Sequence, residues 1–80
     1  MTYEIYGKSS CPYCVEATKL LDLRDIDYVY TDITFLTEHD KEKLQETAGI
    51  RFRTVPQIFK RVDDMLVYVG GYTSLKEDLS

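Results

Sequence analysis

Cys11 and Cys14 are the only cysteines of the chain, and both lie in one stretch, GKSSCPYCVEA, residues 7–17. Three chemistries use thiols this close together: a zinc site, a structural cross-link and thiol–disulfide exchange. A closed zinc site takes four nitrogen or sulfur ligands. Beyond the two cysteines the chain has a single histidine, His39, in a polar stretch where it reads as a solvated surface residue. A metal site therefore lacks ligands. A cross-link stabilises by closing a loop of the unfolded chain, an effect that grows with loop length, and a gap of two residues closes almost nothing. Exchange is the chemistry that this spacing suits, because two nearby sulfurs can pass one bond between themselves and a partner.

Exchange needs a thiolate, so something must stabilise negative charge at one sulfur. From Pro12 onward the pattern is helical, with Cys14, Ala17, Thr18 and Leu21 at i, i+3, i+4 and i+7 and Leu20 beside them. Pro12 suits a first helical turn, where its missing N–H is no loss, and Cys11 then becomes the N-cap. There it meets unpaired backbone N–H groups and the positive end of the helix dipole, with Lys8 as a further source of positive charge. Cys11 is thus the expected nucleophile. Cys14, one turn inside the helix on the same side, is the expected resolving thiol.

The remaining elements must hold that helix start in place. TYEIY (2–6) and YVYTDI (28–33) read as strands, as do QIFK (57–60) and MLVYV (65–69). Thr37 and Asp40 form a capping-box pattern for a polar helix over 38–48, and Gly49 is its stop. Asp63-Asp64 marks a hairpin turn. A short last helix is expected from Thr73 or Ser74, with Ser74 and Glu77 as a second capping-box pattern, and it runs about two turns at most before Ser80. The order β-α-β-α-β-β-α makes a single domain over 1–80 of the α/β class. Its first two strands are parallel across a helical crossover and its last two antiparallel. The expected architecture is a mixed four-stranded sheet with helices on both faces.

Composition excludes several function classes. A formal charge of −4 argues against nucleic acid as a partner, although local basic spots exist at Lys8, Arg51, Arg53, Lys60 and Arg61. No apolar run reaches membrane-spanning length, and MTYEIYG lacks the features of a signal peptide. The expected setting is cytoplasmic and reducing, where a close cysteine pair is more often catalytic or metal-binding than structural. C-x-x-C beside a β-α-β pattern in such a chain is a redox motif. A monomer is the simplest expectation.

GKSSCPYCVEA resembles the active-site segment of the glutaredoxins, whose usual dithiol motif is C-P-Y-C. LQETAGIRFRTVPQIF (44–59) is similar to the family's stretch ending T-V-P-Q-I-F, and GGYT (70–73) is similar to its G-G-Y-T-D segment. The overall resemblance is to the small bacterial members that serve ribonucleotide reductase. It implies a thioredoxin fold and glutathione as reductant and co-substrate, with no tightly bound cofactor and no metal. It further implies that Cys11 forms mixed disulfides and Cys14 resolves them, and that Pro56 follows a cis peptide bond. By the same resemblance Val55 offers its backbone to the cysteine of glutathione, Lys8 and Tyr13 meet the glycine end, and Thr54, Tyr72, Thr73 and Ser74 surround the rest.

Plainer readings stand beside these. Lys8 could be a solvated turn lysine and Tyr13 a partly buried surface aromatic. Pro56 could simply start a strand, and Gly70-Gly71 could be turn glycines. Ser74 stands where many relatives carry an acid. Arg51 or Arg53 could pair with the glycine carboxylate, or either could be a solvated loop charge. Three rival functions remain open at this point. A thioredoxin-like reductase usually carries C-G-P-C beside tryptophan, which this chain lacks. An iron–sulfur module would ligate its cluster through Cys11 and glutathione, an arrangement that Pro12 is expected to disfavour. A docking subunit would not need its thiols at all.

Overall fold

Strand β1 (Thr2–Gly7) alternates half-buried and buried residues along its whole length, so Tyr3, Ile5 and Gly7 share one face and Thr2, Glu4 and Tyr6 the other. In the computed structural model, which describes residues 1–80, β1 is one of the two central strands of a four-stranded sheet ordered β2-β1-β3-β4. β1 runs parallel to β2 (Tyr28–Asp32) and antiparallel to β3 (Gln57–Val62), and β3 pairs antiparallel with β4 (Met65–Gly70). Helix α1 (Pro12–Leu23) supplies the crossover between the parallel strands.

The two faces have different cores. On one, Tyr3, Ile5 and Ile58 of the sheet meet Ala17 and Leu21 of α1 and Leu75 of α3 (Tyr72–Leu79), all essentially without exposure. Each large side chain buried this fully contributes about 1.5–3 kcal/mol. On the other face, Phe59 is fully buried among Tyr68, Tyr6 and Phe52, with ring centroids 5.2, 5.8 and 6.2 Å away. Helix α2 (Glu38–Ala48) lies over that aromatic cluster through Leu44, and its Gln45 side chain accepts a hydrogen bond from the Phe52 amide at 2.8 Å. The mixed sheet with helices on both faces is the thioredoxin fold that the sequence led us to expect.

The local signals account for most of the boundaries. Thr37 and Asp40 make both bonds of the capping box, and Gly49 closes α2 in the left-handed conformation at φ 75°. Two details differ. β2 ends at Asp32 and not at Ile33, because the Asp32 carboxylate accepts bonds from both the amide and the hydroxyl of Thr34 and turns 33–35 into a short 3₁₀ helix. The last helix begins at Tyr72, with Gly71 as N-cap and no side-chain cap. The Ser74–Glu77 capping box does not form, since Ser74 is already inside the helix.

Short as it is, α3 is tied down at its far end. The Tyr3 hydroxyl donates to Asp78 at 2.5 Å, and Lys60 donates to both oxygens of the same carboxylate at 2.8 and 3.0 Å. The Lys60 ammonium first, and the Tyr3 hydroxyl after it, hold the Asp78 carboxyl below its ordinary range. β1, β3 and α3 thus share one polar node beneath the apolar core.

Candidate active site

The site grows from the start of α1. Cys11 is its N-cap, in extended conformation at φ −94° and ψ 114°, and Pro12 occupies the first turn. The Cys14 amide donates to Cys11 Sγ at 3.2 Å, while the Val15 amide closes the first helical bond onto the Cys11 carbonyl at 3.2 Å. A backbone N–H aimed at the sulfur is the feature that a thiolate uses best. Both cysteines are free; Cys11 is half-buried and Cys14 has no exposure. Burial, and after it the neighbouring Cys11, push the Cys14 thiol up to about 11, against a smaller downward pull from the Lys8 backbone. The two sulfurs are thus unequal in the way exchange chemistry needs.

Gly7 makes room for the inner sulfur. It ends β1 on the face that α1 covers, and a Cβ there would stand 2.5 Å from Cys14 Sγ and 2.9 Å from the Tyr30 hydroxyl. No real Cβ contact is that short, so Gly7→Ala must displace Cys14 or Tyr30. We expect it to destabilise the fold by about 1–3 kcal/mol, read as a lower midpoint in denaturant unfolding. A midpoint equal to the parent's would show that this corner is looser than its geometry.

Across from Cys11 lies the loop before β3. The Val55–Pro56 peptide bond is cis, and the Cys11 thiol donates to the Val55 carbonyl at 3.6 Å. No protein group pairs with the Val55 amide, so Val55 presents a free backbone edge beside the outer sulfur. Tyr13, Thr54, Val55, Pro56, Gly71, Tyr72, Thr73 and Ser74 line a groove of about 450 Å³ there. Tyr13, 62% exposed, and Tyr72 form one wall with ring centroids 5.9 Å apart, and Lys76 lies 5.6 Å over the Tyr72 ring. Seven of the eight residues named from the sequence around the thiols therefore meet in one groove.

Lys8 is the exception. It lines a separate cavity of about 270 Å³ on the other side of Thr54 and Val55, together with Lys41, Arg53, Gln57 and the apolar Ile33, Leu36 and Phe52. Lys8 and Tyr13 thus flank the Val55 edge from opposite sides and do not share one pocket. Arg53 belongs to the Lys8 cavity, whereas Arg51 faces a different surface beside Glu42 and Glu46 and reads as a loop charge. Ser74 Oγ lies 2.6 Å from where a Gly70 Cβ would stand, so its hydroxyl folds back toward the glycine pair at the groove's rim. Gly71 was not among the site residues named from the sequence, where it stood within the GGYT resemblance and as a turn glycine. Lys41 and Gln57 carried no signal, because nothing in their local sequence says that α2 and β3 converge there.

Known proteins resemble this chain in sequence and fold. Residues 3–67 match the sequence profile of the glutaredoxin family. The chain is 43% identical to Glutaredoxin 1 of Escherichia coli over 84 aligned positions, covering 94% of this chain and 93% of that protein. It is 42% identical to Glutaredoxin 1 of Rickettsia prowazekii over 74 positions, covering 92% and 73%. The solution structure of oxidised E. coli glutaredoxin superposes with a TM-score of 0.70 at 40% identity, covering 99% of this chain and 93% of the other. A buckwheat glutaredoxin–glutathione complex superposes with a TM-score of 0.71 at 25% identity, covering 96% and 66%. The sheet and helices that carry the two thiols are those of a known fold, and the chain belongs to the glutaredoxin family of glutathione-dependent thiol–disulfide oxidoreductases, which need no tightly bound cofactor.

Proposed function

We propose that Cys11 is the attacking thiol and Cys14 the resolving one, and that glutathione lies along the Val55 edge. The carrying observation is the asymmetry at the helix start: a half-buried Cys11, whose Sγ accepts the Cys14 amide at 3.2 Å, above a Cys14 with no exposure. Cys11 thiolate attacks a substrate disulfide and forms a mixed disulfide, releasing one substrate thiol. Either Cys14 then attacks Cys11 and releases a reduced protein, or glutathione completes the exchange. Two glutathione molecules reset the Cys11–Cys14 disulfide and leave as glutathione disulfide.

In this reading glutathione pairs with the free N–H of Val55 and with its carbonyl as an added strand would. Tyr13 and Tyr72 form one wall of its groove, with Pro56 beneath and Thr54, Thr73 and Ser74 around it. Lys8, with Arg53, offers positive charge to the glycine carboxylate from the adjoining cavity. A cycle reset by glutathione belongs in a reducing compartment, so the proposed setting is the cytoplasm, with the chain acting as a monomer. The proposed protein substrate is ribonucleotide reductase, on the resemblance to small bacterial members. The test is a coupled assay with glutathione, glutathione reductase and a small glutathione mixed disulfide. It is followed by the same assay with an oxidised ribonucleotide reductase as electron acceptor. No turnover of the mixed disulfide would remove the reading altogether. Turnover of it without the reductase would remove only the partner.

Ser74 sets a further expectation. It is near the N-terminus of α3 on the groove rim, where an acid would face the amino end of glutathione. Ser74→Asp is expected to tighten binding of the mixed disulfide by roughly 0.5–2 kcal/mol, the worth of an added charged hydrogen bond, read as a lower KM. An unchanged KM would show that the amino end lies elsewhere.

A further inference from the structure

Tyr30 is absent from the residues assigned to glutathione, yet it reaches the inner thiol. It stands on β2, paired with Ile5 of β1, on the face that α1 covers. Tyr30 is 36% exposed and lines a cleft of about 280 Å³ with Cys14, Thr18 and Tyr28, behind the start of the helix. Its hydroxyl enters the space left by the missing side chain of Gly7. There the hydroxyl and Cys14 Sγ lie 2.9 and 2.5 Å from the same point. The inner sulfur thus has the helix on one side and a phenolic hydroxyl at its back.

We propose that the Tyr30 hydroxyl donates a hydrogen bond to Cys14 Sγ as that sulfur becomes negative, and so promotes closure of the Cys11–Cys14 disulfide. The inference rests on Cys14 being the resolving thiol. In the step concerned, Cys14 gives up its proton and its sulfur attacks Cys11 Sγ. The Cys11–Cys14 bond forms, and the bond from Cys11 to the substrate sulfur breaks with its electron pair. The departing sulfur takes up a proton and leaves as a thiol. Cys14 and Cys11 end oxidised, and the substrate sulfur ends reduced.

The need for such a donor follows from burial. A fully buried thiolate without hydrogen bonds is costly, and burial is the main reason that the Cys14 thiol is pushed up to about 11. The Tyr30 hydroxyl acts in the opposite direction on that thiol. Burial, and then Cys14 with Asp32 and Cys11, push the Tyr30 hydroxyl itself up to about 12. It therefore keeps its proton wherever exchange runs, and a protonated phenol can donate to sulfur. A thiol is a weak acceptor and a thiolate a strong one, so the bond gains strength as the reaction proceeds. An interaction that strengthens toward the transition state accelerates a step.

Tyr30→Phe keeps the ring and removes the hydroxyl. The rate of protein-disulfide reduction, which needs both thiols, should fall about tenfold relative to the rate on a glutathione mixed disulfide, the worth of one hydrogen bond to a charged group. In a Cys11→Ser background, the ultraviolet titration of the remaining thiol should move to higher pH on adding Tyr30→Phe. Cys14→Ser is run beside it. If Cys14→Ser loses protein-disulfide reduction while Tyr30→Phe leaves the ratio and the titration unmoved, Tyr30 has no such role. Equal loss of both activities in Tyr30→Phe would likewise overturn the proposal, since the tyrosine would then serve only the fold. If Cys14→Ser retains protein-disulfide reduction, the underlying assignment of Cys14 falls.

Discussion

Cys11→Ser is expected to abolish turnover of glutathione mixed disulfides and of protein disulfides together, by more than about 10³-fold in each assay. Both routes begin with the same attack, and a serine hydroxyl at neutral pH supplies almost no anion to make it. The variant is a clean test because serine is among the best N-cap residues. Its oxygen can take the place of the sulfur as acceptor of the Cys14 amide, a bond of 3.2 Å in the parent. Helix α1 should keep its start and the protein its stability, so loss of activity at an unchanged unfolding midpoint isolates chemistry from folding. Cys14 is no substitute in this variant. It has no exposure, and its thiol, pushed up by burial, is largely protonated at neutral pH. Substantial activity in Cys11→Ser would end the assignment of the nucleophile.

What the sequence disclosed about this site follows from how local each determinant is. The N-cap role of Cys11 depends on Pro12 and on a helical stripe that begins three residues later, and both lie within one stretch of chain. The capping box at Thr37 and Asp40 and the stop at Gly49 are local in the same sense, and each forms as expected. The Ser74–Glu77 pattern is equally local and failed. Gly71 had already begun the helix at Tyr72, and nothing in S-x-x-E specifies which residue is the cap. Contacts between distant segments were out of reach of such reasoning. That Lys8 shares a cavity with Lys41 and Arg53, while Tyr13 faces Tyr72, depends on how the 51–56 loop passes between α1 and α2. Gly7 falls just after the strand read over residues 2–6, with no local sign of its role. Its significance is spatial, because the pleat of β1 turns it toward Cys14 and the parallel register of β2 brings Tyr30 to the same point.

The complementary variant divides the two activities. Cys14→Ser should keep turnover of glutathione mixed disulfides and lose reduction of protein disulfides, because only the second route has to break its mixed disulfide from within the protein. A protein substrate held on Cys11 fills the approach from solvent, and the attacking sulfur then has to come from beneath. Cys14 is placed there, one helical turn from Cys11 and buried. The pH dependence gives an independent check. Only the thiolate attacks, and burial places the Cys14 thiol at about 11. Below that value the thiolate fraction grows about tenfold for each unit of pH, so a rate limited by Cys14 should still be climbing at mildly alkaline pH. Burial is the leading cause of the shift, and it persists whether Cys11 is free or bound to a substrate. Any residual protein-disulfide reduction in Cys14→Ser would run through glutathione, whose unburied thiol ionises near about 8.5, so its climb should level off there while the parent's continues to higher pH. Pre-steady-state release of reduced substrate from the mixed disulfide, followed against pH in both proteins, measures it. Equal profiles would mean that Cys14 does not carry out the resolving attack.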